Sequence, residues 1–328
     1  MVANGNASTG NAVVVMRKPR GAAQEMVAID GGSGEVLWRH KLYQGGDPTS
    51  WGVFLSLPAV VHEAETGLEL VVVWVKDTQV ASGIGAVLTV LDGASGAVVA
   101  ATTYLTPQDR VFAPFVVDPS DQTLIGQYVN DVQPECGRSY GQYMKCTGLG
   151  KYSLRGESVM WNQTMQDAFT YRMLALDAAR GVVHVPGSTQ YAYSYTDDGR
   201  IRWKIMAAPS TGGIFAPTVC PDGTVVYVND ENEITAWDTS VRRPKKPIWQ
   251  QGCSTECPPQ ATVVTDGTLY LMEANSVVAR SCATGDVLWT INYGSGYSFT
   301  NTVAVAPDGA LYANVYHPGV GGALIKLE

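Results

Sequence analysis

The chain has 328 residues, of which 45% are hydrophobic and only 16% charged, against a usual charged share of about 25%. Disorder requires the opposite balance, so a folded chain with a sizeable core is expected. The net charge of −8 argues against a nucleic-acid binder, which carries a basic excess, and no apolar stretch reaches the roughly 18 residues of a membrane span.

In chain order, one phrase recurs: a few β-formers, a small or acidic residue, a glycine turn, two hydrophobics and a tryptophan. It first reads Val27-Ala-Ile-Asp-Gly-Gly-Ser-Gly-Glu-Val-Leu-Trp38. Its second copy, Val90 to Ala100, has alanine in the tryptophan place. Weaker copies end at Trp161, Trp203 and Trp249, and a full copy runs from Val278 to Trp289. The end positions 38, 100, 161, 203, 249 and 289 have the spacing of one four-stranded blade each. Ahead of several copies stand hydrophobic runs split by Asp222-Gly223, Asp266-Gly267 or Asp308-Gly309. Asp-Gly between β-rich runs marks a hairpin, because glycine supplies the positive φ that the turn needs. No helical period survives more than two turns.

Repeated four-stranded antiparallel units predict an all-β fold, a β-propeller of about seven blades. The alternative is a fragment of an eight-bladed propeller. Complete units are expected at about 56–104, 112–165, 169–206, 214–250 and 258–292, with partial blades at both ends of one domain over 1–328. Trp38, Trp161, Trp203, Trp249 and Trp289 are expected to plug the spaces between neighbouring blades.

Ala28-x-Asp30-x-x-Ser33-Gly34-Glu35-x-x-Trp38 and Ala279 to Trp289 resemble the tryptophan-docking repeat, A-x-D-x-x-T-G-x-x-x-W, of quinoprotein (PQQ) alcohol dehydrogenase-like propellers. The resemblance covers nearly the whole chain. It implies the propeller fold, but that family holds enzymes and non-enzymatic scaffolds, including outer-membrane assembly lipoproteins, so fold does not give function. In the enzymes of the family, calcium, a catalytic aspartate, a disulfide between adjacent cysteines and a tryptophan surround the quinone. This chain has no Cys-Cys pair, and Asn229-Asp-Glu-Asn-Glu233 reads as a solvated turn. No nucleophile elbow or phosphate loop is present. The non-enzymatic branch is therefore expected, with no catalytic, cofactor or metal residues; a PQQ-dependent dehydrogenase-like enzyme is the enzymatic alternative.

Of six cysteines, Cys136 with Cys146 and Cys253 with Cys257 lie close together in loop-like connections, and local disulfides are expected there. Cys220 and Cys282 lie in or beside strands and read as buried free thiols. Sequons occur at Asn6 and Asn162. With the cysteines they suggest an extracellular, luminal or periplasmic protein; no signal peptide is recognisable at residues 1–11. The basic run 242–247 reads as a solvated hairpin tip rather than a nucleic-acid or lipid site.

In a propeller the B–C and D–A connections share one face, here the one with the long segments. Long loops on a rigid scaffold carry function, and exposed aromatics anchor interfaces. Trp51, Tyr140, Tyr143, Tyr293, Tyr297 and Phe299 are accordingly expected to form a recognition face. A protein partner is expected there; a glycan or small ligand is the alternative.

Overall fold

Strands dominate because valine-rich runs alternate with tight glycine turns. The computed structural model describes residues 2–4, 11–17, 25–41, 58–63, 66–77, 85–103, 109–110, 115–118, 120–130, 147–154, 159–164, 174–187, 191–207, 216–229, 231–241, 244–253, 262–263, 266–273, 275–294, 296, 298–299, 303–305, 309–317 and 321–327. Blade 1 comprises β1 (Val2–Asn4), β2 (Asn11–Arg17), β3 (Glu25–Asp30) and β4 (Val36–Lys41). Blade 2 comprises β5 (Ala59–Glu63), β6 (Leu68–Asp77), β7 (Gly85–Asp92) and β8 (Val98–Thr103). In blade 3, β9 (Asp109–Arg110) and β10 (Phe115–Asp118) both pair with β11 (Thr123–Asn130), followed by β12 (Thr147–Ser153) and β13 (Val159–Thr164). Blade 4 comprises β14 (Ala175–Asp177), β15 (Val182–Pro186), β16 (Tyr191–Thr196) and β17 (Ile201–Met206). Blade 5 comprises β18 (Thr218–Val219), β19 (Thr224–Val228), β20 (Glu233–Asp238) and β21 (Trp249–Gly252). Blade 6 comprises β22 (Thr262–Val263), β23 (Thr268–Glu273), β24 (Ser276–Ser281) and β25 (Val287–Asn292). In blade 7, β26 (Ser298–Phe299) and β27 (Ala304–Val305) both pair with β28 (Leu311–His317), which pairs with β29 (Gly321–Leu327).

The fold is thus an all-β propeller, with six sheets of four strands and one of five among the described residues. The only helical element among them is a 3-10 turn, Ala178–Arg180. Two compact units divide the chain, Met1–Gln166 and Asp167–Glu328, so blades 1–3 belong to the first and blades 4–7 to the second. The predicted Asp-Gly hairpins are present, with Gly223, Gly267 and Gly309 at φ +86°, +82° and +85°. Lys245 and Lys246 of the basic run are exposed, in the connection between β20 and β21.

A row of opposed residues on strands B, C and D organises each of blades 1–6. In blade 1 it is Val14, Ala28 and Trp38; in blade 5, Val226, Ala236 and Trp249; in blade 6, Tyr270, Ala279 and Trp289. The alanine of the phrase therefore lies opposite the indole, where its small size leaves room for the ring. Five of these sheets shift register immediately after the row, for example between Ala28 and Ile29. Such a bulge adds twist to the strand pair.

Two of the indoles, Trp38 and Trp249, seat on the neighbouring blade. Trp38, 7% exposed, donates its Nε1–H to the Gly93 carbonyl at 2.7 Å. A Cβ on Gly96 would meet that ring at 2.7 Å, so the turn has to be glycine. Trp249 repeats both features: its Nε1–H donates to the Cys282 carbonyl at 2.8 Å, and a Cβ on Gly285 would lie 2.6 Å from its ring. Blade 2 makes up for its missing indole. Ala100 lies opposite Val90, while Trp74 from strand B and Tyr152 from blade 3 meet edge to face at 5.9 Å. Both join one cluster with Leu70, Val72, Leu88, Phe115, Leu124 and Leu154.

Cys220 and Cys282 correct the free-thiol reading: they form a disulfide, 62 residues apart in sequence, with their Cα atoms 6.1 Å apart. The bond ties the hairpin between β18 and β19 to the turn between β24 and β25. Both cysteines looked inert from sequence because each is buried beside strands of different blades.

Candidate functional site

The two ends of the blades differ in chemistry. At the end bearing the A–B and C–D turns, several ties cross from one blade to the next. They are the Trp38 and Trp249 hydrogen bonds, the Cys220–Cys282 bond and Arg180, whose Nη2 donates to the Asp222 carbonyl at 2.6 Å. Arg180 is itself held by Asp177, Nη1 to Oδ2 at 3.0 Å. The turn aspartates are used locally. Asp30 Oδ1 accepts from the Ser33 amide and hydroxyl at 2.7 and 2.9 Å, and these bonds hold its carboxyl below the usual value. Asp92 and Asp238 accept from Ser95 and Ser240 in the same manner.

The opposite end carries the B–C and D–A connections. Where blade 6 passes into blade 7, the Tyr293 amide donates to the Asn275 carbonyl at 3.0 Å. Asn275 Nδ2 donates to Asn292 Oδ1 at 3.2 Å, and the Gly294 amide donates to the same oxygen at 2.8 Å. The Tyr293 ring is half-buried against the cluster containing Met272, Val277, Val303 and Leu311, and burial raises its phenol above the usual value. His317 closes over Gly296: a Cβ there would lie 3.1 Å from Nε2. Tyr316 is 45% exposed, with its backbone opposite Ser298.

Of the expected recognition residues, Tyr293 occupies this end, and Phe299 is placed by its backbone in β26 opposite Val315. Trp51, Tyr140, Tyr143 and Tyr297 lie outside the described residues, as do Asn6, Cys136, Cys146 and Cys257. Cys253 is disulfide-bonded. Asn162 is exposed on β13, opposite Gly150. The sequence reading missed Tyr316, His317 and the Asn275–Asn292 clasp; the available signal was an Asn in the turn between β23 and β24 and another at the end of β25, the strand paired with β24.

The family described as outer membrane protein assembly factor BamB matches residues 149–319, more than half of the chain. The chain belongs to this family. None of the curated proteins matches the sequence. Among solved structures, BamB from Moraxella catarrhalis is similar with a TM-score of 0.56 and 12% identity, covering 98% of this chain and 83% of that one. Quinohemoprotein alcohol dehydrogenase ADHIIG from Pseudomonas putida HK5 is similar with a TM-score of 0.60 and 13% identity, covering 96% of this chain and 62% of that one. At these identities the likeness to the BamB and dehydrogenase structures is one of fold.

The dehydrogenase likeness raises the question of a calcium-held quinone. Among the described residues, the following donors are already engaged and do not fit one. Two buried carboxylates are engaged with cations, Glu273 with Arg280 at 2.9 Å and Glu25 with Arg39 at 2.9 Å, and two others accept from hydroxyls, Glu63 from Thr66 and Asp118 from Ser120. In the Asn229–Glu233 turn, Asn229 Oδ1 accepts the amides of Glu231 and Glu233 at 3.0 Å each, and Glu233 Oε1 accepts from Gln250 at 3.0 Å. The Cys220–Cys282 bond is spent on joining turns. No catalytic step is derived through a quinone.

Proposed function

We propose that this BamB-family propeller is a non-catalytic scaffold for protein–protein recognition, working outside the cytoplasm in an extracellular, luminal or periplasmic setting. The observation that carries the reading is the pair of aromatic residues at the loop end of blades 6 and 7, Tyr293 half-buried and Tyr316 45% exposed, over blades whose tight turns are tied together by hydrogen bonds and the Cys220–Cys282 bond. Trp51, Tyr140, Tyr143, Tyr297 and Phe299 are proposed to take part in recognition as well. A rigid base with an aromatic loop surface is a suitable platform for a partner. The family's description as an assembly factor and the disulfide support the same reading. A modification at Asn162 would fit an exposed outer strand in such a compartment.

The test is cross-linked capture from the secreted or periplasmic fraction, comparing the wild-type chain with the Tyr140→Ala/Tyr143→Ala and Tyr293→Ala/Tyr316→Ala variants. Loss of the same captured protein with either pair supports the face; capture unchanged by both rejects it. Binding on a glycan array, lost with the same substitutions, would assign the face to sugars instead. A rise in melting temperature on adding PQQ with calcium would overturn the non-catalytic assignment.

A further inference from the structure

In blades 1, 2, 3 and 6 five residues join strand C to strand D, and in blade 4 four do. In blade 5 the join takes ten, residues 239–248. Their sequence holds four of the chain's 22 lysines and arginines and no acidic residue. Sequence alone reads this run as a solvated tip; the structure shows what it replaces and what flanks it.

It replaces a seat. The C–D turns of blades 2 and 6 are glycine turns that receive the indole of the preceding blade: Gly93 and Gly96 take Trp38, and Cys282 and Gly285 take Trp249. The indole facing blade 5 is Trp203, and its Nε1 is buried without a hydrogen-bond partner among the described residues. Folding alone disfavours a departure from the repeat that leaves a buried donor unpaired, and such departures concentrate at functional sites.

The longer connection is nonetheless fixed at its base. Thr239 is buried and donates its Oγ1–H to the Gly223 carbonyl at 2.6 Å, and the Ile248 amide donates to the Ala236 carbonyl at 2.7 Å. Pro244 and Pro247 bracket Lys245 and Lys246, and the fixed φ of proline lowers the entropy lost when such a segment is ordered. This base presents two exposed lysines between two aliphatics, Val241 at 46% and Ile248 at 52% exposure. Neither lysine has a carboxylate partner among the described residues. The adjacent Asp238 is turned to the Ser240 amide and hydroxyl, at 2.8 and 2.6 Å.

We propose that the C–D connection of blade 5 is a docking site for an anionic lipid surface, with Lys245 and Lys246 at the level of the phosphates and Val241 and Ile248 at the edge of the acyl chains. Charge complementarity selects the occupant. The whole chain carries −8, so an acidic surface repels most of it and attracts this run, which also sets the orientation of approach. Cations set among exposed aliphatics suit a boundary where phosphates overlie hydrocarbon. A nucleic acid would satisfy the lysines and leave Val241 and Ile248 in water. The site belongs to the tight-turn end of its blade and does not rest on the function proposed for the loop end.

The intact chain is cosedimented with vesicles of phosphatidylcholine and phosphatidylglycerol in equal parts, and with vesicles of phosphatidylcholine alone. Expected is binding to the anionic vesicles only, weakening as salt rises. Lys245→Ala/Lys246→Ala, at unchanged melting temperature, should weaken it about thirtyfold, each lysine near an anionic surface contributing about fivefold. Lys326→Ala, which removes an exposed lysine of blade 7, should change it little. Val241→Ser/Ile248→Ser should weaken vesicle binding and leave unchanged the binding of heparin, which offers charge without hydrocarbon. Absence of binding to the anionic vesicles overturns the proposal, as does binding that the lysine pair can lose without effect. Vesicle binding that the serine pair leaves intact would assign the tip to polyanions at large, nucleic acid or acidic peptide included, and overturn the lipid site equally.

Discussion

Trp203 and Trp249 occupy the same place in consecutive blades, yet the ground beneath them differs. Under Trp249 the row is Ala236 and Val226, and the indole N–H is satisfied by Cys282. Under Trp203 the row is Ser194 and His184. Here Trp203 Nε1, Ser194 Oγ and both His184 nitrogens are buried without a hydrogen-bond partner among the described residues, as is the Tyr227 hydroxyl on the cluster that Trp203 joins. The receiving turn explains part of this. After β20 the chain runs through Asp238–Ser240, where Thr239 Oγ1 donates to the Gly223 carbonyl at 2.6 Å and Ser240 folds back on Asp238, instead of forming the glycine turn that receives Trp249. The repeated phrase decides where an indole goes; it does not decide what lies under it. A buried polar group left unpaired costs about 1–3 kcal/mol, so the Trp203 seat is the weaker joint.

The sharpest way to separate the two seats is acid. Burial lowers the His184 pKa from the ordinary 6.5 to about 3, with Arg202 adding to the effect. Between those values the unfolded chain takes up a proton that the folded chain refuses, so stability falls as pH drops from 6.5 to about 3 and is unaffected above 6.5. The full span amounts to about 4–5 kcal/mol at 1.36 kcal/mol for each pH unit. Urea unfolding at stepped pH should show His184→Leu losing less than wild type over that range; parallel slopes would refute it. Next in size, Trp249→Ala should cost about 3–5 kcal/mol, the usual effect of emptying a large aromatic site, read as a fall in the urea midpoint. Replacing Cys220 and Cys282 together by alanine should cost up to about 4 kcal/mol, from the loop of 62 residues that the bond closes. A change under 1 kcal/mol would show that the blade contact persists without the link. The smallest effect is the most discriminating: Trp249→Phe should lose about 1 kcal/mol with its hydrogen bond, whereas Trp203→Phe, which removes an unpaired donor, should be neutral or slightly stabilising. Equal losses at both sites would dissolve the contrast.

Much of the fold was legible because turn chemistry and strand pattern are local. Asp222-Gly223 and Asp266-Gly267 announced hairpins, and the offset from Gly34 to Trp38 recurred from Gly285 to Trp289. The A strand of blade 1, where a partial blade was expected, spans Val2–Asn4. What crosses between blades was not legible. The pairing of Cys220 with Cys282 depends on two turns brought together by blade stacking, and spacing alone cannot choose a partner. The division of strand A into β9 and β10, and into β26 and β27, likewise left no local signal. At the candidate face, Tyr293 was found from its glycine-rich setting, but its partial burial follows from the neighbouring blade. Tyr316 sits in an ordinary-looking strand and shows its exposure only in three dimensions.

The exchange in blade 2 has a consequence for how such a chain can drift. Trading tryptophan for Ala100 while Val90 stands where blades 1, 5 and 6 keep alanine, and while Trp74 and Tyr152 fill the remaining space, shows that the summed volume of a seam is constrained rather than any one of its members. A variant shrinking one side chain there should be rescued by enlarging another across the gap, so compensating pairs, not single reversions, are the natural suppressors to select for.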